Sequence, residues 1–239
     1  MPLNVRLWDY DLAKPGIEAA QAAAAVVAQR EHVVAGRVTF TTTAALGQYV
    51  IAPRPPRLIE RYPALQVELR LTEQRINIVA EGVDLAVRMR ALDDSELVAR
   101  KMTTIRRHLV PAPAYLTEYG IPHHPSDLAS HRAIVTNQSL ARWRFSDSWA
   151  TDLRWNIAAG NMLVAQQLAL AWQGIAMLPD FLLTDDLANG RLIIVLADHL
   201  HDEADAWLVS SRQRYQSLAV RAVLSALTMR PEATRSQQQ

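Results

Sequence analysis

Residues 37–89 alternate between two kinds of hydrophobic pattern, and this alternation limits the folds open to the chain. Arg37–Thr43 is a β-branched run, Leu65–Leu71 alternates apolar and polar residues, and Asp84–Met89 is short and apolar, so each favours a strand. The intervening stretches 44–62 and 74–81 have apolar residues at helical spacing. Strand, helix, strand, helix, strand in this order predicts a parallel sheet with helices on its faces.

The second half of the chain continues the alternation less regularly. Its patterns predict strands over 105–110, 133–137, 175–178, 192–196 and 206–210, helices over 113–119, 161–172, 179–187 and 217–229, and a hairpin from 143–145 and 153–158. The chain has 239 residues, which is enough for two lobes because a domain usually takes about 100–200 residues. We therefore expect an α/β protein with two lobes.

An alanine-rich segment precedes the first predicted strand. Ile17–Val34 contains neither proline nor glycine, and alanine is the best helix former. Pro15 and Gly16 precede the segment and Gly36 follows it, as expected where helices start and stop. Its side chains are small and few are polar, so we expect a partner helix to cover it. The pattern leaves open whether that partner belongs to the same domain or to a second copy of the chain.

The charge and composition of the chain exclude several classes of protein. The formal net charge is +1 and basic residues are interspersed with acidic ones, so no basic stripe follows a phosphate backbone. The chain has no cysteine, which rules out disulfides, thiolate catalysis and cysteine-ligated zinc and fits a reducing cytoplasm. Met1–Tyr10 lacks the pattern of a secretory signal, and no run approaches about 18 apolar residues. We expect neither export nor a membrane span.

Six segments, in this order, resemble those of the bacterial LysR-type transcriptional regulators. They are Gly36–Val38, Leu58–Gln74, Glu81–Met89, Leu97–Met102, Pro111–Val135 and Gln173–Leu196. The resemblance covers nearly the whole chain and implies a fold like the type 2 periplasmic binding proteins. In that fold two crossing strands join two α/β lobes, and a small molecule binds between the lobes. By this resemblance residues 37–110 and 209–239 form lobe I, and residues 111–208 form lobe II.

The amino-terminal part departs from the family. A complete regulator has a winged helix-turn-helix ahead of its linker helix, whereas here only Val5–Gly16, which is similar to the end of the wing, precedes the helix. Residues 1–36 are therefore expected to hold a wing remnant and the linker helix. The resemblance implies that Ile17–Val34 pairs with its copy in a second chain, giving a dimer or a tetramer. It also implies that DNA is bound only by a full-length form with the winged helix-turn-helix.

The ends of the strands are the expected ligand site. A cleft between two α/β lobes binds its ligand where strands end and helices begin, because unpaired backbone N–H groups and the helix dipole favour anions there. Thr41–Thr43, Thr136–Gln138 and Gly160–Asn161 lie at such positions. The resemblance implies the following effector-binding residues: Thr42, Thr43, Thr72, Thr136, Asn137 and Asn161. The alternative for each is a plain cap or turn residue.

Two further residues are singled out by their chemistry. Arg88 suits bidentate recognition of a carboxylate, and we expect it near the hinge, in a strand that crosses between the lobes. The alternative for Arg88 is a structural salt bridge. Trp172 stands before Gln173 and Gly174, where the family commonly has a small residue. We interpret its indole as filling the core; the alternative is that it narrows the cleft or stacks on an aromatic effector.

No sequence pattern predicts catalysis, a metal site or a cofactor. The sequence has no nucleophile elbow, Walker loop or dinucleotide-binding glycine fingerprint. Residues 198–203 include histidines and acids that could bind a metal, but they match a variable loop of the family, and we interpret them as solvated surface. His123 and His124 are interpreted in the same way.

The leading hypothesis is a cytoplasmic sensor that is not an enzyme. A small anionic or aromatic metabolite would bind between the lobes and change how the assembly presents its DNA-binding heads. The alternative is a solute-binding protein that delivers its ligand to a transporter. The absent secretory signal and the alanine-rich linker helix count against that alternative.

Overall fold

The computed structural model describes residues 33–53, 56–74, 76–89, 97–136, 143–145, 149–150, 153–200 and 202–228, together with residues 15, 16 and 19. The strands are β1 (Gly36–Thr42), β2 (Leu65–Leu71), β3 (Leu85–Arg88), β4 (Leu97–Val110), β5 (Ala133–Val135), β6 (Trp143–Arg144), β7 (Trp149–Ala150), β8 (Trp155–Ala158), β9 (Ile175–Pro179) and β10 (Glu203–Ser211). The helices are α1 (Ala44–Leu46), which continues as a π-helical segment over Gly47–Ile51, α2 (Pro56–Arg61), α3 (Pro113–Tyr119), a 3-10 helix over Pro125–Ser130, α4 (Met162–Leu170), α5 (Asp180–Ala188), α6 (Arg212–Tyr215) and α7 (Leu218–Thr228).

Eight of these strands form one sheet in the order β2-β1-β3-β10-β4-β9-β5-β8. At one end of the sheet β1 runs parallel to β2 and β3, and at the other end β5 runs parallel to β8 and β9. The predicted parallel sheet is therefore confirmed within each half. Antiparallel pairings of β10 with β3 and β4, and of β4 with β9, join the two halves.

The strand β4 belongs to both halves of the sheet. Its first part pairs with β10, and its last residues, Arg107–Val110, pair with β9. The expected crossing strand is thus β4. Arg88 lies instead on β3, whose partners are β1 and β10, so its predicted position in a crossing strand is wrong. The short strand 85–88 ends before the chain reaches β4, which is why the arginine stays within the first half.

Each half of the sheet has its own hydrophobic core. In the first half the core includes Phe40 and Leu208, which are covered by α7 residues such as Val223. In the second half Leu109 and Ile175 lie in one cluster, and α4 and α5 cover a neighbouring cluster. This is the expected two-lobed α/β fold, in which the burial of apolar area stabilises each half separately. The residue boundaries of the two lobes stay a prediction.

Three predicted elements are wrong. The predicted helix over 74–81 is absent among its described residues, and residues 78–82 form turns, because the Asn77 side chain accepts hydrogen bonds from the backbone N–H groups of Val79 and Ala80 at 3.0 and 3.1 Å. Residues 192–196 form a loop with one isolated bridge between Leu109 and Val195 rather than a strand. The predicted hairpin is also wrong, because β6 pairs with β7 while β8 joins β5 in the main sheet.

Most of the predicted linker helix Ile17–Val34 and the wing remnant Val5–Gly16 lie outside the described residues. The last two residues of the predicted helix, Val33 and Val34, are described and are not helical. In the described part of the chain, no helix is both long enough and apolar enough to cross a membrane.

Candidate functional site

The carboxyl end of β1 carries two buried threonine hydroxyl groups. Thr41 and Thr42 are 4% and 3% exposed, and neither side-chain oxygen has a hydrogen-bond partner among the described residues. A buried hydroxyl without a partner costs about 1–3 kcal/mol relative to one that is bonded. Such a group in a native protein needs an explanation, and a bound water molecule or ion is one of the recognised explanations. Thr42 is one of the predicted site residues; Thr41 is not.

The helix that follows β1 begins beside a carboxylate of the chain itself. Thr43 is the residue before α1, but its side chain makes no capping hydrogen bond. The first backbone N–H of the helix, that of Ala44, donates instead to the Glu73 carboxylate at 3.1 Å. The alternative interpretation of Thr43 as a cap residue is therefore wrong. A helix N-terminus favours negative charge, and the chain supplies that charge from the loop after β2.

Thr72 ties the ends of β1 and β2 together. Its backbone N–H donates to the carbonyl oxygen of Thr42 at 2.9 Å, and its hydroxyl accepts from the backbone N–H of Gln74 at 3.1 Å. These bonds place Glu73 next to the start of α1. Glu73 could not be predicted as a site residue from local patterns, because its contact with Ala44 joins residues 29 positions apart.

In the second half, Asn161 precedes α4 and caps it. Its side-chain oxygen accepts a hydrogen bond from the backbone N–H of Val164 at 2.9 Å. This is the geometry of a helix cap, which was the alternative to a ligand-binding role for Asn161. Thr136 follows β5 directly, and the neighbouring predicted residue Asn137 lies outside the described residues. The backbone N–H of Ala159, at the end of β8, donates to Val135 at the end of β5 at 2.7 Å, so these segments share one edge of the sheet.

The two halves bring these elements face to face. Residues of α1 and of α4 have Cα atoms within 8 Å of one another, and residues of α5 approach the π-helical segment 47–51 equally closely. The strand ends marked by Thr42 and Asn161 therefore lie on opposing sides of one interlobe region. Arg88 donates a hydrogen bond to the carbonyl oxygen of Ile76, which anchors the turn before β3. Its role in ligand binding stays a prediction.

Trp172 does not fill the core, so that interpretation is wrong. Its residue is 59% exposed, and it lines a cavity of about 510 Å³ with Pro113, Ala114, Gln167, Leu170 and Arg191. None of the predicted effector residues that the structure describes lines this cavity. The indole therefore faces a second concave surface.

The remaining polar clusters make structural contacts. Arg107 forms a two-oxygen ion pair with Asp202, with its Nη2 atom 2.7 Å from each oxygen, which binds the residue just before β10 to β4. The rings of His124 and His199 meet edge to face with centroids 5.4 Å apart. His201 lies outside the described residues. Among the residues that the structure describes, no group of three or more metal-ligating side chains could hold a metal ion.

Among the buried titratable groups, Asp84 and His131 have shifted pKa values. Burial raises the pKa of Asp84 above its usual value, although the backbone N–H of Thr39 and the Arg214 guanidinium act in the opposite direction. Burial lowers the pKa of His131, whose Nδ1 atom lies 3.3 Å from the Tyr115 hydroxyl. Asp84 links β1 and the start of β3 to α6 in the first half, and His131 contacts α3 in the second half.

Two α/β halves with polar strand ends facing each other define the class of two-lobed ligand-binding domains. Residues 31–231 match the family model of the LysR substrate binding domain. Because this match takes in most of the chain, the chain belongs to the LysR family of transcriptional regulators and carries their effector-binding region.

Similar proteins agree with this assignment. The chain is 29% identical over 227 residues to the HTH-type transcriptional regulator LtrA of Klebsiella pneumoniae, covering 92% of this chain and 74% of LtrA. It is 33% identical over 159 residues to the regulator CrgA of Neisseria meningitidis serogroup C, covering 65% of this chain and 53% of CrgA. The solved regulatory domain of Neisseria meningitidis CrgA matches with a TM-score of 0.75 at 28% identity, over 81% of this chain and 98% of that domain.

Proposed function

We propose that this chain is the effector-sensing and self-associating portion of a cytoplasmic LysR-type regulator and is not an enzyme. A small anionic or aromatic metabolite binds between the two lobes. Binding changes the relative orientation of the lobes, and a full-length form with a winged helix-turn-helix then presents its DNA-binding heads differently. Self-association occurs through the linker helix and the effector-binding domains. The relatives are named as transcriptional regulators, which disfavours the alternative of a solute-binding protein.

The observation that carries this proposal is the buried hydroxyl of Thr42, which has no hydrogen-bond partner among the described residues. Thr42 ends β1 just before α1, and α1 lies close to α4 of the other half. A ligand oxygen placed there would give the Thr42 hydroxyl a partner and remove its desolvation cost of about 1–3 kcal/mol, whereas the Thr41 side chain points to the opposite face of β1. That gain arises only in the ligand-bound arrangement. It therefore contributes to the differential affinity through which a ligand shifts a conformational equilibrium, typically by about 1–3 kcal/mol.

Glu73 sets a condition on the chemistry of the effector. Its carboxylate already accepts the first N–H of α1, so an acidic effector at this point must displace it or bind against its negative charge. Replacing Glu73 by glutamine keeps the size and the accepting oxygen of the side chain while removing its charge. We therefore expect Glu73→Gln to increase the affinity for acidic effectors and to leave the affinity for neutral ones nearly unchanged.

Isothermal titration calorimetry on the full chain tests the proposal, after a thermal-shift screen of aromatic acids, amino acids and sugar acids. The expected result is a ligand whose affinity falls in Thr42→Val and Thr43→Val and rises in Glu73→Gln. Thr117→Val is the matched control, because the hydroxyl of Thr117 bonds to Pro113 in α3 and does not face the opposing strand ends. Equal affinities in the wild type and in all three site variants would refute the interlobe assignment.

A further inference from the structure

The turn after α4 has a conformation that usually requires glycine. The backbone N–H of Trp172 donates to Ala169, and that of Gln173 donates to Leu168, both at 3.0 Å, which is the hydrogen-bond pattern of a Schellman motif. Trp172 occupies the left-handed position of this motif with φ of 62°. Only glycine adopts this conformation without steric cost, and the most common occupants are glycine and asparagine.

A large aromatic side chain at this position is unexpected for a second reason. Trp172 is 59% exposed, so the indole gains only part of the stabilisation that burial would provide. Backbone strain that persists without a compensating packing gain is found most often at functional sites. The strain and the exposure thus point to the same residue independently.

The cavity beside Trp172 combines an aromatic face with one cation. Pro113, Ala114 and Leu170 form its apolar part, Gln167 and Arg191 contribute polar groups, and no acidic residue of the described part of the chain lines it. A volume of about 510 Å³ falls in the range of ligand pockets, which is roughly 300–1,000 Å³. The cavity therefore suits a flat apolar molecule that carries one acidic group.

The guanidinium of Arg191 is held in place by an ion pair with a buried carboxylate. Its Nη2 atom lies 2.5 Å from Oδ1 of Asp186, a residue that is 2% exposed. The other oxygen of Asp186 accepts from the side-chain amide of Gln166 at 2.7 Å. The side chain of Arg191 is 57% exposed, so part of the guanidinium stays accessible while the ion pair restricts its orientation. An arginine ordered in this way loses less entropy when it binds a carboxylate.

This cavity and the opposing strand ends lie at different ends of the second half. In the antiparallel pair of β4 and β9, Val110 lies opposite Ala176 and Arg107 lies opposite Pro179. Since β5 and β9 are parallel, β5 ends near the edge where β9 ends. Trp172 precedes β9 and Pro113 follows β4, so the cavity lies at the other edge. The nine residues of α4 separate the two sites by roughly 13 Å along the helix axis.

We propose that the cavity lined by Trp172 and Arg191 is a second ligand site, specific for planar aromatic carboxylates. The aromatic ring stacks on the indole, and the carboxylate accepts hydrogen bonds from the guanidinium. The apolar residues of α3 and α4 cover the remaining edge of the ring. The ligand would act on α4 from its carboxyl end, while the interlobe site adjoins the amino end of the same helix.

Calorimetric titration of the full chain with 2-naphthoate tests this assignment. The expected result is binding that weakens about 2–10-fold in Trp172→Ala, through loss of stacking, and is largely kept in Trp172→Phe. Arg191→Lys keeps the charge beside Asp186 but loses the planar fork, and we expect it to weaken binding about 10-fold or more. Neutral 2-naphthamide and non-aromatic cyclohexanecarboxylate should bind at least about 10-fold more weakly than 2-naphthoate.

Variants of the interlobe region separate this site from the first one. The share of 2-naphthoate binding that Trp172→Ala removes should be the same in the Thr42→Val background as in the wild type, because Thr42 does not line the cavity. Loss of 2-naphthoate binding in Thr42→Val, with full binding in Trp172→Ala and Arg191→Lys, would overturn the second site and assign the probe to the interlobe region. Absence of 2-naphthoate binding to the wild type at millimolar concentration, or equal affinity for 2-naphthamide, would also overturn it.

Discussion

Replacing Trp172 by glycine and, separately, by alanine isolates the cost of the backbone conformation at this residue. Both variants lose the indole, so they differ only in the Cβ atom at a φ of 62°. The left-handed conformation costs a residue with a Cβ atom about 1–2 kcal/mol. Alanine regains about 0.4–1 kcal/mol because its unfolded chain has less entropy to lose. We therefore expect Trp172→Gly to be more stable than Trp172→Ala by about 1 kcal/mol.

Urea unfolding followed by far-ultraviolet circular dichroism measures this difference, and a thermal melt should show it as about 2–4 °C for a domain of this size. Ala171→Gly provides the control at the preceding residue. Ala171 has an ordinary negative φ of −85°, where glycine should lower the free energy of unfolding by about 0.5–1 kcal/mol. An alanine variant at Trp172 that is as stable as the glycine variant would refute the argument from backbone strain.

Three further predictions concern other buried groups. Thr42→Val should raise the free energy of unfolding by about 1 kcal/mol in a thermal or urea melt, because it removes a buried hydroxyl without a partner. A loss of stability in this variant would show that the Thr42 hydroxyl makes a hydrogen bond in the folded protein. Because burial lowers the pKa of His131, its contribution to stability should be complete above the unfolded value of about pH 6.5 and should be lost as the pH falls below it. The urea midpoint should therefore drop more between pH 7.5 and 5.5 in the wild type than in His131→Gln, and equal drops would contradict this. Gly174→Ala should destabilise the protein by about 1–3 kcal/mol, because a Cβ atom at Gly174 would lie 2.4 Å from the carbonyl oxygen of Arg132, and an unchanged melting temperature would argue against this close approach.

The strands of the sheet and the helices that cover it could be predicted, because the patterns that indicate them depend on the spacing of apolar residues nearby in the sequence. The β-branched run at the start of lobe I forms β1 in the structure, and the amphipathic stretch near the carboxyl end forms α7. The helix predicted over residues 74–81 failed for a local reason of a different kind. Its apolar spacing resembled a helix, but the Asn77 side chain bonds to the backbone and favours a turn.

The candidate site could be predicted only in part, because its decisive contacts join residues that are distant in the sequence. That Thr42 ends a buried strand follows from the strand pattern, whereas its lack of a partner depends on the packing around it. The hydrogen bond between Glu73 and Ala44 joins residues 29 positions apart, and no local sequence pattern predicts such a contact. Trp172 was assigned to the core on its hydrophobicity, and only the tertiary structure places it beside a cavity.

The long strand β4 determines how the two lobes can move. Its ladder with β10 runs from Leu97 to Arg106 and contains one irregularity, at Ala206 and Trp207, where the register skips Met102. Because the lobes share hydrogen-bonded strands here, wide separation would break rungs of the ladder. A bulge increases the local twist and lets paired strands bend. We expect ligand-driven movement to be a small rotation of one lobe against the other about this point, and not a wide opening between the lobes.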